Sequence, residues 1–112
     1  MKKNIQQKRA SLARFITRKA FPKYKCYVEA ATIVRHIHPI LVHNRGKFEI
    51  FTKRVKEPLF KITRDRAQSR RACISFIRRL AQYYGNCIVM KRKSAVVDGK
   101  AVSVYLYALV KV

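Results

Sequence analysis

The sequence of 112 residues contains only five acidic side chains, no tryptophan, three glycines, three prolines and three cysteines. Three glycines leave no room for a glycine-rich phosphate loop, and no serine lies in a GxSxG setting, so nothing supports nucleophilic catalysis. No apolar run approaches the roughly 20 residues of a membrane-spanning helix, and the apolar core of a signal peptide is missing. We therefore expect no membrane partner and no small-molecule substrate.

The cysteines are Cys26, Cys73 and Cys87, an odd number without a CxxC pair. Each lies in a segment whose pattern predicts a half-buried strand or helix. Buried free thiols in a reducing compartment are therefore expected, rather than a disulfide or a zinc site.

The three histidines raise the question of a metal site. His36 and His38 would share one face of a predicted strand, but neither cysteine nor carboxylate lies near them or near His43 in the sequence. We predict histidines that face solvent or phosphate, and we expect neither metal nor cofactor.

The scarcity of acids is the counterpart of a large positive charge. Lysine and arginine number 27 against five Asp and Glu, which gives a formal net charge of +22, while 49% of the residues are hydrophobic. The chain therefore has enough apolar side chains for one folded domain over residues 1–112. Self-repulsion at this charge opposes compaction unless a polyanion neutralises it. We expect a nucleic-acid partner and salt-sensitive binding, with a merely soluble basic protein as the alternative.

The first 28 residues contain nine Lys or Arg and no acid. This composition is typical of a mitochondrial presequence and equally of a helix that contacts phosphate. We favour the second interpretation and expect an intracellular protein, with a mitochondrion or another organelle as an open possibility.

Two helices are predicted. Residues 4–20 place Ile5, Leu12, Phe15 and Ile16 on one face, with Asn4 as the N-cap and Phe21-Pro22 as the end. Residues 65–84 carry an apolar stripe centred on Ile77, with Asp65 at the start and Gly85 just past the end. The opposite arc of the second helix carries the side chains of Arg64, Gln68, Arg71, Ser75, Arg78, Arg79 and Gln82.

Four strands are predicted. β-branched and aromatic residues favour a strand over 23–37, although VEAATIVRHI also fits a short helix stopped by Pro39. KFEIFTKRV (47–55) alternates, and Pro58 predicts an edge strand or a bulge there. NCIVMKRK (86–93) and AVSVYLYALVKV (101–112) form a hairpin around Asp98-Gly99. The result is an α+β domain of order α-β-β-α-β-β, an antiparallel sheet with two helices packed on one face.

This order, together with three segments, resembles one half of a LAGLIDADG homing endonuclease. The segments are SLARFITRKAF (11–21), EPLFKITRDRAQSRRACISFIRRLAQYYG (57–85), and the closing hairpin CIVMKRK with VSVYLYAL. In that family, carboxylates at the end of the first helix hold catalytic divalent cations. Here the matching positions are Thr17 and Lys19, and Arg14 replaces a small helix-pairing residue. The resemblance therefore implies a nucleic-acid-binding half without metal-dependent cleavage, and we expect no enzyme.

The candidate binding residues are basic. On the second helix no acid follows Asp65, whereas a solvated helix face usually mixes charges, so we predict phosphate contact there. The predicted sheet gives a second basic surface, where Tyr27 either stacks on bases or, as we favour, packs in the core. The predicted nucleic-acid-binding residues are Arg14, Arg18, Lys19, Lys23, Lys25, Arg35, Lys47, Lys53, Arg54, Arg64, Arg71, Arg78 and Arg79.

The leading hypothesis is a non-catalytic domain bound to structured RNA, with neighbouring proteins, in an organellar ribosome or a similar ribonucleoprotein. One alternative is a sequence-specific DNA-binding regulator of winged-helix type, with residues 65–84 in a major groove and the 86–112 hairpin as a wing. Helical structure over residues 23–55 would favour this alternative and contradict the endonuclease-like interpretation. Another is an active metal-dependent DNA endonuclease that uses Asp65 or Glu29.

Overall fold

A computed structural model describes residues 4–111 of the chain. Helix α1 (Ile5–Ala20) begins at Asn4, whose side chain accepts a hydrogen bond from the Gln7 N–H at 2.8 Å. The Gln7 side chain in turn accepts a hydrogen bond from the Asn4 N–H at 3.1 Å. This capping box and the end of the helix before Phe21-Pro22 confirm the predicted boundaries.

The other elements follow in one α+β domain. They are β1 (Val28–Glu29), α2 (Ala30–His43), α3 (Arg45–Phe48), α4 (Lys53–Lys56), a 3-10 helix (Pro58–Lys61), α5 (Arg70–Tyr83), β2 (Asn86–Val97) and β3 (Lys100–Lys111). The sheet is antiparallel with strand order β1-β3-β2, so the fold class and the antiparallel sheet are confirmed. Helices α2 and α5 contact the sheet. No helix within residues 4–111 is long and apolar enough to cross a membrane.

The β2–β3 hairpin is confirmed and is longer than predicted. Asp98 and Gly99 have φ of 50° and 76°, the conformation of a two-residue turn that matches the twist of its strands. Pairing runs from Val97 opposite Lys100 to Asn86 opposite Lys111, so β2 continues past the predicted end at residue 93. Val112, which we included in the last strand, lies outside the described residues.

The predicted strand over residues 23–37 is wrong except at Val28–Glu29. From Ala30 the chain is helical, and α2 continues through Pro39 to His43. The buried side chains of α2 include Ile33, Ile37 and Leu41, which recur every four residues. The strand was predicted from β-branched composition, which reflects only intrinsic propensity. The helical period of the buried side chains outweighs that propensity.

The predicted strand over residues 47–55 is also wrong. Phe48, Phe51 and Val55 are buried and lie three and four residues apart, with Phe48 in α3, Phe51 in the bend that follows and Val55 in α4. The Phe76 ring of α5 contacts the Phe48 and Phe51 rings at centroid distances of 5.9 and 6.5 Å. Pro58 begins the 3-10 helix, where its missing N–H has no cost, rather than an edge strand.

Helix α5 begins at Arg70 and not at Asp65. The Asp65 carboxylate accepts a hydrogen bond from the Gln68 N–H at 3.1 Å and so closes a separate turn before the helix. The helix ends as predicted, because Gly85 follows it with φ of 78°.

One apolar core joins α1, α2, α5 and the sheet. Ile16, Ile37 and Ile77 are fully buried at its centre. Ile88 of β2 and Leu109 of β3 are directly opposite each other and are both buried, so this face of the hairpin closes the core.

Two predictions about polar side chains need correction. His38 is 7% exposed, and its Nε2 lies 2.8 Å from the Thr63 carbonyl oxygen, to which it donates, because α2 turns it inward. It therefore faces neither solvent nor phosphate. Cys73 is a buried free thiol as expected, but Cys26 and Cys87 are exposed, because Cys26 lies in the loop before β1 and Cys87 near the start of the edge strand β2.

Candidate nucleic-acid interface

A basic groove of about 680 Å³ lies between α5 and β3, and we call it the α5–β3 groove. The helix supplies Arg70, Arg71, Ile74, Ser75, Arg78, Arg79 and Gln82, and the strand supplies Ser103, Tyr105 and Tyr107. Ala30 at the start of α2 completes the lining, which contains no acidic side chain. One wall is therefore cationic and the other carries hydroxyl groups.

The helical wall follows from the period of α5. Cys73, Ile77 and Leu80 are buried on one side of the helix. Arg71 and Arg78 are seven residues apart, which is about two turns, so they lie on the opposite, exposed side. Packing of the apolar stripe on the core thus fixes the direction of the arginines.

The strand wall follows from the alternation of β3. Leu109 and Tyr107 face the core, so Tyr105 and Ser103 continue the same face where the hairpin leaves the core. Arg92 of β2 is opposite Tyr105 and therefore shares this face. The outer half of the hairpin thus adds a further cation beside the groove.

A partly buried hydrogen-bonded cluster lies just before the start of α5. The Ser69 hydroxyl accepts from the Thr63 N–H at 2.9 Å and donates to the Thr63 carbonyl at 3.0 Å, the same carbonyl that His38 contacts. The Arg45 guanidinium donates to the Ile62 carbonyl. These contacts tie the loop before α5 to α2 and α3, and so fix the start of the groove helix.

The groove arginines differ in their partners. Arg79 Nη1 lies 3.0 Å from Glu57 Oε2 and 3.1 Å from the Arg54 carbonyl. Within residues 4–111 this is the one ion pair, so Arg70, Arg71 and Arg78 carry uncompensated charge. The groove therefore attracts anions mainly through these three side chains.

The structure brings together a minority of the predicted binding residues. Arg71, Arg78 and Arg79 line the groove, and Arg54 of α4 lies next to Arg79. Arg64 is exposed in the loop before α5. Arg54, Arg71, Arg78 and Arg79 therefore lie together along the exposed side of α5.

The other predicted cations are exposed but lie elsewhere. Arg14 and Arg18 line a separate cavity of about 280 Å³ with Leu80 and Ala81, on the buried side of α5. The Lys19 ammonium lies 5.5 Å from the centre of the Phe15 ring. The remaining cations are Lys23 and Lys25 before β1, Arg35 on α2, Lys47 on α3 and Lys53 on α4. The second basic surface therefore does not form on a sheet, because residues 30–56 are largely helical.

Sequence reasoning missed one wall of the groove. Ser103, Tyr105 and Arg92 were not predicted as binding residues, and neither was Arg70. The alternation of polar and apolar side chains over residues 102–108 is the signal that identifies the strand wall. Tyr27, for which we favoured core packing, is 43% exposed, with the Lys91 ammonium 4.1 Å from its ring centre.

Among residues 4–111, no three His, Cys, Asp or Glu side chains come together in a way that could hold a metal ion. Thr17 and Lys19, which match the catalytic end of the resembled family's first helix, lie in the last turns of α1.

No family model, curated protein or solved structure matches this chain. The resemblance to LAGLIDADG homing endonucleases therefore stays a prediction. Of the four strands in the order it implies, the first is reduced to Val28–Glu29 and the second is replaced by short helices.

Proposed function

We propose that this chain is a DNA-binding protein of winged-helix type. Helix α5 enters the major groove of duplex DNA, and the β2–β3 hairpin acts as a wing on the adjacent backbone. The observation that carries the proposal is the α5–β3 groove, in which one exposed helix face and one hairpin face form a continuous basic concavity.

The order of elements supports this proposal. A helix, a short strand, two long helices and a hairpin follow each other, and β3 pairs with both β1 and β2. Between α2 and α5 lie residues 44–69, a much longer segment than the three- to four-residue turn of a simple helix-turn-helix. Phe48 and Phe51 of this segment pack behind α5 on Phe76, so the insertion leaves the groove open.

The side chains of α5 fit duplex DNA. The B-form major groove is about 12 Å wide and admits an α-helix, whereas the major groove of duplex RNA is deep and narrow. Arg71 and Arg78 reach phosphates or the guanine edge from such a position. Ser75 lies between these arginines along the helix, and Gln82 lies one turn beyond Arg78. Both supply uncharged hydrogen-bonding groups, and the Gln side chain pairs well with adenine.

The hairpin complements the helix. Arg92, Ser103 and Tyr105 are exposed on its groove face. Hydroxyl and guanidinium groups bind phosphate oxygens without sequence preference. The wing therefore adds backbone contacts to those of the α5 arginines, while Ser75 and Gln82 of α5 face the bases.

Structured RNA is the second candidate partner. The observation that favours it is the spread of exposed cations over α1, α3 and α4, outside the lining of the groove. A protein embedded in a ribonucleoprotein contacts polyanion on several sides. Neither proposal includes a catalytic role; the predicted resemblance places Thr17 and Lys19 where the endonuclease family has metal-binding acids.

Competition binding distinguishes these partners. The protein is titrated with a DNA duplex, an RNA duplex of the same sequence and a structured RNA, at several salt concentrations. We expect the DNA duplex to bind most tightly. Contacts from Arg70, Arg71, Arg78 and Arg92 predict a slope of about −3.6 for log affinity against log salt. Tighter binding of either RNA would contradict the DNA proposal, and magnesium-dependent cutting of the DNA would support the nuclease hypothesis instead.

A further inference from the structure

The face of the sheet turned away from the helices is largely apolar. Because Ile88 and Leu109 face the core, their neighbours in each strand face outward. This outer sheet face consists of Cys87, Val89, Lys91, Lys93, Ala95 and Val97 on β2, and of Lys100, Val102, Val104, Leu106, Ala108 and Val110 on β3. Val97 and Val102 are 52% and 40% exposed, and no helix packs on them. Apolar side chains on both faces of a strand are typical of sheets that are covered on both sides.

One row across this face has a distinctive charge pattern. Glu29 of β1 is opposite Leu106 of β3, and Leu106 is opposite Lys91 of β2. Acid, apolar residue and base therefore follow each other across three strands. Glu29 and Lys91 are about 9.6 Å apart in backbone spacing, and neither forms an ion pair within residues 4–111.

We propose that the outer sheet face binds a second copy of this chain about a twofold axis that runs along β3. Such an axis exchanges the two sides of the sheet, so Glu29 of one copy faces Lys91 of the other, and Leu106 faces Leu106 at the centre. A twofold axis across the strands would instead place Glu29 over Glu29. The row is therefore self-complementary in only one of the two arrangements.

The neighbouring row agrees with this arrangement. Tyr27 precedes Val28 of β1 and lies on the outer face, since the Lys91 ammonium sits 4.1 Å from its ring centre. On the other side of β3, Val89 is opposite Ala108. The same axis places Tyr27 over Val89 of the second copy, which is an apolar contact. Sheets packed in this way lie about 10 Å apart, a distance that these side chains span.

The size of the face sets the strength of the association. Strands of 12 residues are about 40 Å long, and the face is two to three strands wide, so each copy buries about 500 Å². This is below the roughly 800 Å² per partner of a standard interface, and the net charge of +22 opposes pairing. We therefore expect a weak dimer that polyanion binding strengthens.

Sedimentation of charge-reversed variants tests this geometry. Glu29→Lys and Lys91→Glu each create a like-charged pair across the axis, so each variant is expected to be monomeric at concentrations where the native chain dimerises. A mixture of the two variants restores opposite charges on both sides and is expected to form heterodimers. A native chain that stays monomeric with and without a short DNA duplex would overturn the proposal, as would variants that all dimerise equally.

Leu106→Glu gives a second test at the centre of the face, with Val96→Glu as its control. Val96 is 76% exposed and lies on the opposite face of the same hairpin. We expect the Leu106 variant to be monomeric and the Val96 variant to dimerise. Equal self-association of both variants would show that the chain pairs through another surface and would overturn the proposal. Neither Leu106 nor Val96 lines the α5–β3 groove, so we expect both variants to bind DNA. DNA binding by a monomeric variant therefore tests the proposed function separately from this inference.

Discussion

The Glu57 carboxylate lies 3.0 Å from the Arg79 guanidinium and neutralises one of the four arginines that line the α5–β3 groove. Arg79 is therefore held by α4 and the 3-10 helix, while Arg70, Arg71 and Arg78 stay available to an anion. The pair is partly exposed, so its effect on folding stability is small, about 0.2–1 kcal/mol. Its larger effect is on the electrostatic potential of the groove.

Glu57→Gln is accordingly expected to strengthen DNA binding. Removal of the carboxylate releases Arg79 for phosphate contact, and the slope of log affinity against log salt should become steeper by about 0.9. Glu49→Gln makes the same charge change at an exposed position outside the groove and serves as the control. Fluorescence anisotropy over a salt series measures both variants. Equal slopes for the two variants would show that Arg79 does not reach the nucleic acid.

Cys73 predicts a difference in thiol reactivity. Burial raises the pKa of the Cys73 thiol from its ordinary value of 9.0 to about 12, because the apolar core disfavours the thiolate. Cys26 and Cys87 are exposed. A thiol reagent at neutral pH should therefore modify two cysteines in the folded protein and the third only after unfolding. Rapid modification of all three in the native protein would contradict the placement of α5.

The raised pKa of the Cys73 thiol also predicts that folding stability depends on pH. The unfolded thiol loses its proton above about pH 9, whereas the folded thiol keeps it up to about pH 12. The folded state therefore binds more protons in this interval, and the stability that the neutral thiol contributes falls as the pH rises from 9 towards 12. Cys73→Ala should reduce this fall in the free energy of unfolding relative to the native chain. Identical pH profiles of the two proteins in urea unfolding would count against a buried thiol.

Two glycine substitutions test the end of α5. Gly85 has φ of 78° and Gly46 does not have a positive φ, while an added Cβ meets nothing within 4 Å at either position. Gly85→Ala should cost about 1–2 kcal/mol because an L-residue is strained in the left-handed region. Gly46→Ala in α3 should be neutral or stabilising by up to about 1 kcal/mol. Chemical denaturation followed by circular dichroism compares them, and equal effects would contradict the cap.

Elements with a strong local sequence signal, such as a cap, an apolar stripe or a turn dipeptide, were predicted from the sequence. Asn4 caps α1, the Ile77 stripe defines α5, and Asp98-Gly99 closes the hairpin, because each depends on neighbours in sequence. Between residues 30 and 55 the signals conflict. There, the β-branched residues of α2 favour a strand, while the spacing of Ile33, Ile37 and Leu41 is helical. Burial of these side chains against α1 and α5 stabilises the helix.

The candidate site was predicted in part for the same reason. Arg71 and Arg78 were identified because one helix carries both on one face. The strand wall was missed because Tyr105 comes near α5 only when the hairpin folds back across the core. His38 was misplaced because its partner, Thr63, is 25 residues away in the sequence. Sequence period locates a face within an element, but it does not say which element lies across from it.

Charge reversal on α5 tests the central claim, that the α5–β3 groove binds DNA. The double variant Arg71→Glu, Arg78→Glu is compared with Arg14→Glu, Arg18→Glu, which makes the same charge change on α1, on the other side of α5. At about 1–3 kcal/mol per arginine, the groove variant should lose at least about 30-fold in affinity for a DNA duplex. The α1 variant should lose only a few-fold, with unfolding midpoints of both close to that of the native chain. Equal losses in the two variants, or native binding by the groove variant, would contradict the account.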